Sequence, residues 1–297
     1  MTRAANPVPS SGSAPKRFLK MAGAGNDFVV FDDRDGALGS PDELARVITT
    51  RRLSVGGDGI ILLRRSERAS VRMVYHNADG SLADFCANGT RCAARAALLL
   101  GLAPAEMTIE TGYAIVPARV EGESVTLTLP PPTEVEEARA LRLRDGSTVR
   151  GAYLMVGVPH YVIFVDQGLW SMNIDALGHE IRHHADLPLG ANVNFVLVTG
   201  ANEISVRTWE RGVEAETLAC GSGVVASSFM SGRLGKASSP LRVLTRSGIA
   251  LGVELRADEI RLTGDARVVY RGEMTDETVA GFDPEWVRNP TDGGPRT

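Results

Sequence analysis

Two of the three cysteines in this 297-residue chain stand in matched settings, Cys86 in FCANGTRC and Cys220 in LACGSGVVASS. Each is followed by small residues, including glycine, and then by an alanine- or valine-rich segment that reads as a helix. At a helix N-terminus the first N–H groups have no intrahelical acceptor and the dipole favours negative charge. A cysteine there has its thiolate stabilised, and the same amides can hold a carboxylate. If the two turns belong to related halves that face each other, one thiolate can remove the proton α to a carboxylate. The other thiol can then return a proton to the opposite face, inverting the carbon. Such chemistry requires no metal and no pyridoxal cofactor. A cysteine taken singly is ordinarily a small core hydrophobe; that is the reading for Cys92, inside the helix that follows Cys86, and only the pairing of the two turns sets Cys86 and Cys220 apart.

The elements that must carry these turns are short and alternating. VRMVYH from 71, SVTLTL from 124, YVIFVD from 161, NFVLV from 194 and EISVRTW from 203 read as strands. PDELARVITTRRL from 41, TRCAARAALLLG from 90 and GSGVVASSFMSGRLG from 221 read as helices, the last two ending near glycine. Antiparallel hairpins are expected at TRSGIALGVEL and TGDARVVYRG, giving a mixed α and β class. A weak internal repeat lays GAGNDFVV at 23 over GANVNFVL at 190, and CANG at 86 over CGSG at 220, with unequal spacing between. The proline run in LPPPTEVEE, 129 to 137, is the expected domain boundary.

Composition narrows the partners. A net charge of -4 and a pI near 5.8 offer no clustered positive surface for nucleic acid or anionic lipid, so a small molecule is the expected partner. No apolar run approaches the roughly 20 residues that span a bilayer, and MTRAANPVPSSGSAPKR contains no secretory hydrophobic block. A cytosolic protein with reduced thiols, no membrane partner and mobile ends is expected.

Two other chemistries have sequence support. HEIRH at 179 to 183 satisfies HExxH, the spacing that places two histidines on one helical face around zinc. Its candidate helix is short, between Gly178 and Pro188 with Gly190, and only Glu203 or Glu210 could be offered as a third ligand. Cys220 with His160 could form a thiol hydrolase pair, but that leaves Cys86 without a role. A non-enzymatic amino-acid-binding module would leave both thiols without one.

Six strings, in order, carry a closer likeness: KMAGAGNDFVVFD at 20, VGGDGIILL at 55, NADGSLADFCANGTRC at 77, VPHYVIFV at 158, GANVNFV at 190 and ERGVEAETLACGSG at 210. Through them the chain resembles the diaminopimelate epimerase family of cofactor-independent amino-acid epimerases, from about residue 17 to 283. The resemblance implies an α+β fold of two pseudo-symmetric domains, each a curved, mostly antiparallel sheet around a central helix. Residues 17–131 with 265–283 would form the domain of Cys86 and 132–264 that of Cys220, flanked by a disordered leader, 1–16, and a mobile tail, 284–297. It implies interconversion of L,L- and meso-diaminopimelate in lysine and peptidoglycan precursor synthesis, and a homodimer.

Carried over position by position, Cys86 and Cys220 would be the catalytic bases, with His160 and Glu210 supporting them. The amides of Ala87, Asn88, Gly221 and Ser222 would receive the reacting carboxylate. Asn26, Asn77 and Asn192 would contact substrate, and Glu210 with Arg211 would bind the remote amino-acid end, since a guanidinium engages a carboxylate bidentately and a carboxylate accepts from an ammonium. By residue type alone, these asparagines also suit turns, the Glu–Arg pair a solvated face and His160 a structural role. The sequence departs from the family pattern at Ala87, where glycine is usual and a positive φ would strain alanine, at Val158 in place of asparagine, and at Gly59, which offers no side chain. Those departures bear on substrate identity and keep open a related racemase acting on another amino acid, such as histidine.

Overall fold

The structure is a computed structural model that describes residues 17–279 and 282–288. The expected leader, 1–16, and residues 289–297 of the expected tail lie outside the described residues. Of that tail, Pro284–Arg288 forms a short helix from which Arg288 donates to Arg46 O and Thr49 Oγ1.

The described residues divide into two compact units, one from residue 17 to 123 with those from 266 onward, the other from 124 to 265. The first contains β1 (Arg17–Gly23), β2 (Asn26–Asp32), α1 (Pro41–Ile48), β3 (Gly59–Arg64), β4 (Val71–Asn77), β5 (Leu82–Ala83), α2 (Ala87–Leu99), β6 (Glu106–Glu110) and β7 (Ile115–Glu121). The second contains β8 (Ser124–Leu129), β9 (Thr133–Arg142), β10 (Thr148–Val156), β11 (Val158–Val165), α3 (Ile174–Arg182), β12 (Asn192–Gly200), β13 (Glu203–Glu210), β14 (Ala215–Thr217), α4 (Gly221–Arg233), β15 (Leu241–Thr245), β16 (Ala250–Leu255) and β17 (Ile260–Asp265). The chain then returns to the first unit with β18 (Arg267–Glu273) and the helix Pro284–Arg288, α5.

In the first unit β1 pairs antiparallel with β18 and β2, and β2 runs parallel to β3. From there β3 is antiparallel to β4, β4 is parallel to β6, and β6 is antiparallel to β7. The second unit repeats the pattern: β10 with β9 and β11 antiparallel, β11 parallel to β12, β12 antiparallel to β13, β13 parallel to β15, β15 antiparallel to β16. Each parallel step needs a crossover, and a helix supplies each one, α1 and α2 in one unit, α3 and α4 in the other. The fold is thus α+β, two units of like topology, each a mostly antiparallel sheet around one central helix.

Those central helices, α2 and α4, are buried nearly all round, which is why they are built from alanine, serine and valine. Ala93, Ala94, Ala96 and Ala97 have no exposure, nor do Val225, Ala226 and Met230, and Cys92 is fully buried among them. α2 packs on β1 to β4, β6 and β7; α4 packs on β10 to β13 and β15 to β17.

The structure revises four sequence expectations. The topological counterpart of GANVNFVL on β12 is the strand of VGGDGIILL, β3, because both follow a crossover helix and pair parallel to the preceding strand; GAGNDFVV instead turns the β1–β2 hairpin. From Gly59 to Cys86 and from Asn192 to Cys220 the chain lengths agree to a single residue, so the unequal spacing disappears. The second expected hairpin, at TGDARVVYRG, is a passage between units: β17 has β16 on one edge and β8 on the other, while β18 pairs with β1. That β8–β17 pairing also puts SVTLTL in the second unit, so the divide falls ahead of the proline run. Helix α1 ends at Ile48, well before Leu53, because Thr49 and Thr50 turn their hydroxyls back onto Ala45 O and Arg46 O, and Arg52 is left-handed at φ 74.

Candidate active site

The cysteine turn of the first unit is built where β5 enters α2. Cys86 is the N-cap of α2, extended at φ -145 and ψ 109, and its Sγ accepts from Gly89 N at 3.4 Å. The helix therefore starts at Ala87, three residues ahead of the expected Thr90, because the cysteine sulfur takes the place of the usual capping oxygen. Ala87 and Asn88, buried in the first turn, are helical, and Ala87 does not have the positive φ that would strain it. Gly89, the last residue of CANG, lets the helix approach the sheet; a Cβ there would lie 3.1 Å from Met73 Cε and 3.4 Å from Ile61 Cδ1.

A directed line of hydrogen bonds runs from this turn. The fully buried Arg91 donates to Asn88 Oδ1 (2.9 Å), Asn88 Nδ2 to Asn26 Oδ1 (2.7 Å), and Asn26 Nδ2 to Asp58 Oδ2 (2.9 Å). Arginine only donates and a carboxylate only accepts, so the two ends fix which way both amides face. Asp58 is held in turn by Arg51 and by Asp27 N. Asn77 joins through the main chain, Ala78 N donating to Asp58 O (3.0 Å), while its own side chain donates to Ser81 Oγ (3.0 Å) within the NADGS turn. Cys86, Ala87, Asn88 and Asn26 are therefore one structure. Asp58 and Arg91 were passed over in the sequence, although Arg91 lies one helical turn from Asn88 and Asp58 stands in VGGDGIILL.

The cysteine turn of the second unit is the same in outline. Cys220 is the N-cap of α4 at φ -108 and ψ 110, 6% exposed, and its Sγ lies 3.4 Å from Ser222 Oγ. Gly221 and Ser222 open the helix. On β12, Asn192 Oδ1 accepts from Arg211 N (2.8 Å), which ties the end of the strand carrying Glu210 to Asn192; the Arg211 guanidinium donates to Leu189 O (2.9 Å). His160, opposite Asn192 across β11 and β12, is fully buried. Burial, then the Arg211 charge, lower it from its ordinary value to about 3. A ring held neutral in this way is a poor source of the imidazolium in a thiolate–imidazolium pair with Cys220.

The sequence profile of the diaminopimelate epimerase family matches residues 18–128 and 152–269, both cysteine turns included. A diaminopimelate epimerase of Chlorobaculum tepidum is 44% identical over 266 residues, 86% of this chain and 100% of that protein. The chain belongs to the diaminopimelate epimerase family. Another member, from Aquifex aeolicus, is 38% identical over 278 residues, covering 88% of this chain and 99% of its own. Solved structures extend the likeness of fold beyond the diaminopimelate epimerase family. A phenazine biosynthesis protein of the PhzF family from Bacillus anthracis has a TM-score of 0.63 at 16% identity, over 89% of this chain and 100% of its own. A hydroxyproline epimerase from Agrobacterium vitis, solved with trans-4-hydroxy-L-proline, has 0.62 at 18% identity, over 90% and 94%.

Against the pattern expected of a diaminopimelate epimerase, two departures now have physical contexts. Gly59 is forced by packing, since a Cβ there would fall closer than 3.0 Å to His76 O and the Tyr75 ring. Val158 stands two residues before His160, as Asn26 stands two before Phe28, and Phe28 and His160 face Gly59 and Asn192 in the same register. The amide that Asn26 places in one half has no counterpart in the other.

The HEIRH motif is occupied by structural contacts. His183 Nε2 lies 3.0 Å from Glu214 Oε2, Glu180 Oε1 accepts from Arg144 N (2.6 Å), and His179 sits edge-on to Trp209. Among the described residues no group of three His, Cys, Asp or Glu is placed to hold a metal ion. On the two-thiol reading, activity should be unchanged after prolonged dialysis against a zinc chelator, with metal content followed by atomic emission; loss on dialysis and recovery with zinc would favour the HExxH reading.

Proposed function

We propose that this chain interconverts L,L- and meso-diaminopimelate without a cofactor, using Cys86 and Cys220 as its two bases. The observation that carries the reading is the repeated device itself: in two units of like topology, a cysteine N-caps the central helix, in a chain of the diaminopimelate epimerase family. In each direction one sulfur begins as thiolate and the other as thiol. The thiolate takes the α-proton, the C–H electron pair moves into the carboxylate as an enolate, and the opposite thiol protonates the carbon from its other face. The first acceptor ends as thiol and the donor as thiolate, so the next turnover runs in reverse or after proton exchange with solvent.

The N-terminal amides of α2 and α4, at Ala87, Asn88, Gly221 and Ser222, supply fixed donors for charge that grows on the carboxylate during proton removal. Asn26, with both ends of its amide oriented by Asn88 and Asp58, and Asn77 and Asn192 bind polar groups of the substrate. Glu210 and Arg211 read the remote ammonium and carboxylate. The reading places the protein in the cytoplasm, as a homodimer, at a step toward lysine and peptidoglycan precursors.

Incubation of L,L-diaminopimelate with the enzyme in deuterated water tests it. The expected result is deuterium at one α-carbon per molecule, appearing together with the meso isomer. No exchange with diaminopimelate, but exchange and racemisation of L-histidine, would replace the substrate and keep the chemistry; exchange with neither would remove both.

A further inference from the structure

The unit that carries Cys220 has a buried group of polar side chains at positions where the unit that carries Cys86 does not. By register, Phe28, Ile61 and Tyr75 in the first unit occupy the places of His160, Asn194 and Thr208 in the second. The first set is apolar and aromatic, Phe28 and Tyr75 meeting edge to face at 5.7 Å. The second set is polar and buried, His160 and Asn194 without exposure and Thr208 at 3%. Buried polar groups are destabilising unless satisfied, so a fold that can fill this place with hydrocarbon gains nothing in stability from the exchange.

The bonds within this group leave one arrangement. Asn194 Nδ2 lies 3.3 Å from Asn192 O, 3.5 Å from Tyr161 O and 3.1 Å from His160 Nδ1, while Asn194 Oδ1 receives Thr208 Oγ1 at 3.0 Å. Main-chain carbonyls only accept, so the amide NH2 must face them; turning the amide over would set its oxygen against two others. His160 Nδ1 therefore faces a donor and must be the ring's lone-pair nitrogen. In a neutral ring the proton is then on Nε2, and among the described residues that buried Nε2 has no hydrogen-bond partner.

We propose that Asn194 is a positioning residue: braced by Thr208 and two main-chain carbonyls, it fixes His160 as the neutral Nε2–H tautomer, a donor to an anion and not a base. This rests on the reading of Cys220 and His160 as parts of the epimerisation site. A donor of this kind stabilises charge on the reacting carboxylate as the α-proton leaves, leaving proton transfer itself to the thiols.

Long-range proton–nitrogen NMR of the full chain labelled with 15N-histidine tests the assignment directly, with His160→Gln identifying the resonances. The wild-type protein should show His160 protonated at Nε2 and bare at Nδ1. Asn194→Asp, an isosteric acceptor, should invert that pattern, and kcat should fall on the order of 10- to 100-fold with a smaller change in KM, the range expected when an outer partner that orients a histidine is altered. Thr208→Val, which removes only the brace, should lower kcat less and mix the tautomers, and it serves with the wild-type spectrum if Asn194→Asp does not fold. A wild-type His160 protonated at Nδ1 overturns the proposal, as does an inverted tautomer with unchanged kcat or an Asn194→Asp protein that keeps Nε2–H. Because the tautomer is read without substrate, it stands or falls separately from the deuterium-exchange result.

Discussion

Replacing either Cys86 or Cys220 by alanine should lower kcat by roughly 10²- to 10⁴-fold, the span that a positioned proton-transfer group supplies. The sharper pair of variants is Cys86→Ser and Cys220→Ser. Serine is a favoured N-cap, so the hydroxyl can accept from Gly89 N in place of the Cys86 sulfur and the start of α2 is retained. Cys86→Ala removes that acceptor and should cost about 0.5–2 kcal/mol, the ordinary value of a helix cap. A hydroxyl is far less acidic than a thiol, so serine preserves the cap and forfeits the base. Stability and turnover should therefore separate: both serine variants fold like the parent, as read from urea midpoints, and both are inactive. A serine variant of either position with near-parental turnover would show that its sulfur is not the base.

Much of the scaffold of this site was legible in the sequence because it depends on neighbours in the chain. Alternation marked the strands at 71, 124, 161, 194 and 203, and small residues after each cysteine marked the central helices. Helix limits moved where a side chain intervened locally, Cys86 drawing α2 forward and Thr49 with Thr50 closing α1 early. What could not be read were partners set by strand register. Asn26 and Asp58 meet because β2 and β3 are parallel neighbours, and His160 meets Asn194 because β11 and β12 are. The repeat was visible at CANG and CGSG, where a turn dictates residue type. It was misaligned at GAGNDFVV, where one glycine turn into a buried strand looks like another until the topology is known.

The difference between the two halves has a measurable consequence at the last glycine of each turn. Gly223→Ala should destabilise the protein by about 1–3 kcal/mol, the usual cost of forcing a methyl group into a filled core, and should depress kcat as well. A Cβ at 223 would fall closer than 3.0 Å to Asn194 Oδ1 and 3.2 Å from Thr208 Oγ1. Neither atom can retreat without giving up a bond that orients the amide beside His160. At Gly89 the nearest atom is Met73 Cε, the free end of a flexible side chain, which can turn aside. Alanine also gains about 0.5–1 kcal/mol over glycine within a helix, so Gly89→Ala should be close to neutral in urea midpoint. Adding Asn194→Ala to Gly223→Ala opens the space that the methyl requires, so the double variant should lose less stability than the two single losses added together. Its kcat should stay low, because the room is made by deleting the group that orients His160. Equal losses at the two glycines, or strict additivity in the double variant, would mean that the start of α4 does not rest on the amide of Asn194.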